Sequence, residues 1–391
     1  MDFPFRLPML CNGITDCSRL IKNSDDDLYG EQEMMKQPQL LGSAIQTSIS
    51  SGADAVFAPT GGISRSKLEE MGIDDDFSAY NEWIVEKTKQ YADTDTLIGG
   101  VDIPSRLFKP PYTKNFFEDA YFDYLEKFTI LKDAGVDFIL LKDQNSLLDM
   151  RSGVLAAKSL DLPVFVVMNV DEDGKNANET DYLAALITLQ AIGADAFGIY
   201  CTDGIKAESA LIENAFPHAD IPLIAVLNSD DNDIIQLTAL SKSGASVFID
   251  TASWSDKTKT SLFKNTTSHF DPKSEKDNYA AAIDCEAFFL PDNLVLSEPM
   301  DCTYDMSDDI IDLDDENINA VYIPLDSTDD VTMLTENAAM SRLPFIVNAN
   351  DMVTLEAALR YFQGRLIIDT RCDIDPEKLH ELAKKYGAIL Y

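Results

Sequence analysis

The run GADAFGIYC at residues 193–201 couples a glycine-led tripeptide to an apolar stretch. Three other places share the form: GADAVFAPT at 52–60, GVDFILLKD at 135–143 and GASVFID at 244–250. Each follows a helical pattern, and glycine suits the left-handed residue that ends a helix. The apolar stretches read as strands buried on both faces.

A second style of strand fills the gaps. Pro163 leads into VFVVMN and Pro222 into LIAVLN; LIGGVD occupies 97–102 and PMLCNG occupies 8–13. Eight strands are therefore expected near 8–13, 55–60, 97–102, 138–143, 164–169, 196–201, 223–228 and 246–250. Apolar residues three and four apart predict helices over 116–135, 180–193 and 231–244. Eight βα units with a two-unit period point to a (β/α)8 TIM barrel. The alternative is a doubly wound open sheet.

Residues 255–283 begin as an eighth helix and turn polar, which gives a barrel over 1–265 and a linker over 266–283. Residues 284–391 alternate strand-like runs (AFFL, LVLSEP, NAVYIPL, LPFIVNA, RLIIDT, AILY) with helical ones (330–342, 352–362, 375–387). They read as a smaller α/β domain, because about 108 residues are too few for a second eightfold barrel. The acidic stretch Asp305–Glu316 lacks the glycine and ligand spacing of a calcium loop and reads as a solvated face.

The 391 residues carry 31 Lys and Arg against 68 Asp and Glu, a net charge of −37. Such a surplus disfavours nucleic acid and anionic membrane surfaces as partners. Six scattered cysteines (11, 17, 201, 285, 302, 372) form no CxxC pair. No signal peptide or membrane-spanning run is read, so a cytoplasmic protein is expected.

A barrel of this kind works at the C-terminal ends of its strands. The residues there include Cys11, Asn12, Gly13, Thr60, Asp102, Lys142, Asp143, Asn169, Tyr200, Cys201, Asn228 and Asp250. The three histidines, His218, His269 and His380, fall elsewhere, which argues against histidine acid–base chemistry. Cys201 reads as a nucleophile, a soft metal ligand or an inert buried thiol. Lys142 beside Asp143 either anchors an anionic substrate group or forms an internal ion pair. Asp250 ends an apolar strand and needs a partner or a function.

Residues 10–251 resemble the homocysteine S-methyltransferase domain, the first barrel of cobalamin-dependent methionine synthases. The resemblance rests on LCNGITD (10–16), GADAVFAPTGGISRSKLEEMG (52–72), GVDFILLKDQNSLLDMR (135–151), PVFVVMNVDEDGK (163–175) and GADAFGIYCTDG (193–204). The segment 355–391 looks like part of the pterin-binding barrel that follows in those synthases, here much shortened. The resemblance implies zinc held by three cysteinates that activates the homocysteine sulfur. Cys201 matches the first ligand, in a GxNC motif that here reads GIYC. The two cysteines of the family's GGCC motif are absent where Ile249-Asp250-Thr251-Ala252 stand. Lys142 replaces a glutamate that contacts the substrate's amino group, and suits a carboxylate instead.

These departures lead to the expectation of a divergent, zinc-independent methyltransferase-like protein. Its small, anionic substrate would meet Asn12, Gly13, Thr60, Lys142, Asp143, Asn169, Asn228 and Asp250, with Cys201 as catalytic residue and no metal. A corrinoid or folate methyl carrier, or a corrinoid protein as partner, follows from the resemblance. The alternative is a catalytically inactive binding or partner subunit. A Schiff-base enzyme using Lys142 is a third reading.

Overall fold

The aspartates of the glycine-led tripeptides explain the two-unit period. The Asp54 amide donates to the Leu10 carbonyl at 2.8 Å, and its carboxylate accepts the Leu10 amide at 2.9 Å. Asp137 clasps Ile98 and Asp195 clasps Val164 by the same pair of bonds. Each of these three strands is thus tied at its start to the strand before it. The preceding glycines, Gly52, Gly135 and Gly193, have φ of 89°, 95° and 98°, conformations that a Cβ would strain.

The computed structural model describes residues 3–17, 34–65, 68, 77–104, 116–227, 234–250, 280–313 and 316–391. Eight parallel strands close into a barrel in sequence order: β1 (Met9–Asn12), β2 (Ala55–Ala58), β3 (Leu97–Asp102), β4 (Phe138–Gln144), β5 (Val164–Val170), β6 (Ala196–Cys201), β7 (Leu223–Leu227) and β8 (Ala245–Asp250). β8 pairs with β1 in the register Met9–Val247 through Asn12–Asp250, which closes the ring. The described helices around it are α1 (Pro38–Ser50), α2 (Phe77–Tyr91), α3 (Phe116–Ala134), α4 (Leu147–Ser159), α5 (Tyr182–Ala191), α6 (Ile205–Ala215) and α7 (Ile234–Ser243). The eighth helix expected after 255 lies outside the described residues. None of the described helices is long and apolar enough to cross a membrane.

The lumen is a packed core. Met9, Cys11, Phe57, Val101, Phe138, Leu140, Phe165, Val167, Val226 and Ile249 fill it. At the end where the strands begin, Phe3 stacks on Phe165 with ring centroids 5.6 Å apart, and Phe5 meets Phe138 edge-on at 5.7 Å. Phe3 and Phe5 therefore plug the bottom of the barrel, and the opposite rim is left for chemistry.

The second unit is built on β9 (Ala280–Ile283), β10 (Glu286–Phe289), α8 (Ser307–Asp312), β11 (Val321–Leu325), α9 (Thr328–Asn337), β12 (Phe345–Ala349), α10 (Met352–Tyr361), β13 (Gly364–Arg365), β14 (Ile367–Ile368), α11 (Pro376–Tyr386) and β15 (Ile389–Leu390). Residues 280–283, read from sequence as the end of a linker, form the central strand of an antiparallel sheet ordered β10-β9-β13. A run of four small apolar residues, AAAI, pairs well there but carries no alternation to announce a strand. The other sheet is parallel, ordered β11-β12-β14-β15. Val321, Ile323, Phe345 and Val347 face the helices, while Tyr322, Ile346, Ile367 and Ile389 face the opposite side, under Leu290, Leu294 and Leu296. The result is four parallel strands joined by three helices, half the strand count of a full barrel. The acidic stretch includes α8, whose Asp308, Asp309 and Asp312 are exposed.

The two units share a joint. Arg151 on α4 is 1% exposed and donates to the carbonyls of Leu359, Arg360 and Phe362, the open end of α10. A cation at a helix C-terminus is favoured by the helix dipole. Beside it, Glu118 pairs with Arg360 at 3.1 Å and accepts from Tyr361 Oη at 3.1 Å. On the neighbouring flank Ala184 and Ile187 of α5 pack on Ala280 and Ala282 of β9.

Candidate functional site

Side chains alternate between lumen and helices along each barrel strand. Phe138 and Leu140 line the lumen, so Lys142 is the next inward residue of β4; by the same rule Asn169 follows Phe165 and Val167 on β5. Tyr200, half-buried against the lumen cluster, stands at the top of β6 and pairs in register with Asn169. Lys142, Asn169 and Tyr200 therefore form one polar arc on three adjacent strands at the C-terminal rim.

The arc has usable chemistry. Lys142 is 7% exposed, and its Nζ donates to Asp143 Oδ2 at 2.6 Å. Asp143 sits at φ 57°, where the β4–β5 register shifts between Leu141 and Gln144. This bulge aims the lysine inward while its carboxylate partner stays partly open to solvent. Asn169 Oδ1 is buried without a hydrogen-bond partner. An unpaired acceptor on one strand and, on the next, a cation that keeps donors to spare suit a ligand with both an oxyanion and an N–H or O–H group.

Other sequence candidates hold structure. Asn12 turns to the helices, where its Nδ2 donates to Ser51 Oγ at 3.0 Å and its Oδ1 accepts from Ser48 Oγ at 3.4 Å, anchoring the end of α1. Thr60 Oγ1 donates to the Val101 carbonyl at 2.7 Å and accepts its amide at 3.0 Å, lacing β2 to β3. The Thr60 carbonyl accepts from Lys127 Nζ at 3.0 Å, and Lys127 also pairs with buried Asp102. Asp250 is fully buried at the end of β8, and its carbonyl accepts the Gly13 amide at 3.2 Å; Gly13 lies at φ 136°. Asn228 lies outside the described residues.

Cys201 also turns away from the lumen. It is 1% exposed, belongs to the cluster under the helices, and places Sγ 3.5 Å from the Asp171 carbonyl. Burial pushes its thiol up, away from thiolate character. Glu208 on α6 is a neighbour that sequence reading did not single out. It is 1% exposed and its Oε1 accepts the Val226 amide at 2.9 Å. Its position one turn into an amphipathic helix looks like solvent-facing surface in the sequence.

The sequence profile of the homocysteine S-methyltransferase family matches residues 14–264. This chain belongs to the homocysteine S-methyltransferase family. Methionine synthase of Mycobacterium leprae (strain TN) is 24% identical over 218 residues, 52% of this chain and 18% of that protein. Methionine synthase of Mycobacterium tuberculosis (strain ATCC 25618 / H37Rv) is 24% identical over the same length. The match thus spans less than a fifth of those relatives. The metallated homocysteine methyltransferase MmuM of Escherichia coli superposes with a TM-score of 0.55 at 14% identity, covering 66% of this chain and 95% of that one. That likeness establishes the barrel.

Within this family member, the donor set of the described residues does not fit a thiolate-bound zinc. The one matching thiol faces the helices and is held by a backbone carbonyl. Among the described residues no three His, Cys, Asp or Glu side chains come together around a metal position.

Proposed function

We propose that this chain is a divergent homocysteine S-methyltransferase-family protein that takes a small carboxylate-bearing substrate at the rim, through Lys142, without the three-thiolate zinc site. The observation that carries this reading is the inward, nearly buried Lys142 on β4, with the unpartnered Asn169 Oδ1 on the adjacent strand β5. Lys142 supplies charge-assisted donors to a carboxylate, and Asp143 keeps the ammonium oriented until substrate arrives. Asn169 Oδ1 accepts from a donor on the same molecule, and Tyr200 walls the site toward β6. The reaction is methyl transfer to or from a corrinoid or folate carrier, delivered to the rim. Gly13, Thr60 and Asp250 shape the rim through their backbone ties; Asn12 and Cys201 support it from behind.

A thermal-shift screen of amino acids, thiols, simple carboxylates and methyl donors tests this, together with zinc analysis of the purified protein. Stabilisation by carboxylate-bearing compounds with zinc far below one equivalent supports the reading. Near-stoichiometric zinc bound through Cys201 overturns it. Silence across the whole panel favours the second reading, a partner subunit that keeps the barrel and docks another protein through its acidic surface.

A further inference from the structure

The ring of strands has one early seam. β5 and β6 stay paired up to Val170–Cys201, and β7 and β8 up to Leu227–Asp250, but β6 and β7 part after Ile199–Ala225. The Glu208 carboxyl occupies the gap. It accepts the Val226 amide at 2.9 Å from β7 and a backbone hydrogen bond from Cys201 on β6, taking the place of further ladder bonds between the two strands. Below it lies a small apolar pocket under α6, lined by Phe197, Ile199, Leu211, Ile212 and Leu223.

We infer that Glu208 is a positioning residue for the rim: its carboxyl holds β6 and β7 apart and so sets where Tyr200 stands relative to Lys142 and Asn169. The inference rests on the rim being the substrate surface. The seam is a polar bracket inside an apolar wall, and an apolar side chain at 208 would leave two strand amides without acceptors. No ion pair to Glu208 exists among the described residues; the ionisable groups grouped at the seam are Cys201 on β6, Asp203 in the turn before α6 and Asp171 after β5.

The test compares the full chain in wild type, Glu208→Gln and Glu208→Leu. Hydrogen exchange read by NMR is expected to find the Cys201 and Val226 amides protected in wild type, less so in Glu208→Gln, and exchanging about tenfold faster than wild type in Glu208→Leu. Equal exchange in wild type and Glu208→Leu overturns the inference. A second arm measures binding of deamino-homocysteine, the carboxylate thiol lacking the amine. Glu208→Leu is expected to bind it about tenfold more weakly, with Glu208→Gln between the two. Equal binding by all three proteins overturns the rim role. Absence of binding by wild type, with the two amides still protected, sinks the substrate surface itself and separates the two failures.

Discussion

Replacing Arg151 with Met probes the joint between the barrel and the half-barrel. The guanidinium is 1% exposed and donates to three carbonyls at the end of α10. Its removal leaves buried carbonyl acceptors without a donor, at about 1–3 kcal/mol for each one, or about 4 kcal/mol for the group. Methionine keeps an apolar stem in the same space and recovers about 1 kcal/mol of that. A net loss of about 3 kcal/mol is expected. At about 2.1 cal/mol/K per residue, 391 residues give an unfolding entropy of about 0.8 kcal/mol/K, so Tm falls by roughly 4 °C. Scanning calorimetry of the full chain reads both the shift and its shape. Wild type should melt in one transition, and the variant should lose the second unit first. A loss below about 1 kcal/mol with the single transition intact would refute the view that these carbonyls need a cation.

Asp149 is buried, accepts from Tyr124 Oη at 2.9 Å, and burial pushes it up to about 7. A carboxyl raised on folding stabilises below its unfolded pKa and loses that contribution as pH rises through its folded one. Asp149→Asn should therefore flatten up to about 4 kcal/mol of stability loss between about pH 4 and pH 7, read by urea unfolding at several pH values. Gly198→Ala would drive a Cβ into the Ile224 carbonyl, since β7 passes directly against this inward glycine; a loss of about 3 kcal/mol or more, or insoluble protein, is expected in expression and melting assays. Lys127→Met strands the buried Asp102 carboxyl without its ion pair, and should cost about 3–5 kcal/mol in chemical denaturation. An unchanged midpoint there would mean that Asp102 is held neutral in the native protein.

The barrel was legible because the tripeptide repeat has a local cause: a left-handed glycine followed by an aspartate that clasps the preceding strand. Strand ends expected at 97–102 and 196–201 are those observed, as Leu97–Asp102 and Ala196–Cys201. Which strand-end residues face the lumen was harder to read. Period-two alternation counted from Phe138 and Phe165 picks out Lys142 and Asn169, and the same count from Ala196 places Tyr200 inward and Cys201 outward. A motif match at Cys201 does not carry that orientation. The brackets between distant elements, Glu208 at the β6–β7 seam and Arg151 of α4 against the end of α10, join residues 18 and 209 positions apart and leave no local pattern. AAAI at 280–283 became a strand because β10 and β13 pair with it from both sides, a tertiary cause that no short window reveals.

The central claim is that Lys142 receives a substrate carboxylate. Calorimetric titration with homocysteine, its deaminated acid and its decarboxylated amine, against wild type and Lys142→Met, tests it most directly. Both carboxylates are expected to bind wild type and the amine is not, while Lys142→Met is expected to bind none of the three and to melt within about 2 °C of wild type. Binding of the amine as tightly as the acids, or carboxylate binding undiminished in Lys142→Met, would contradict it.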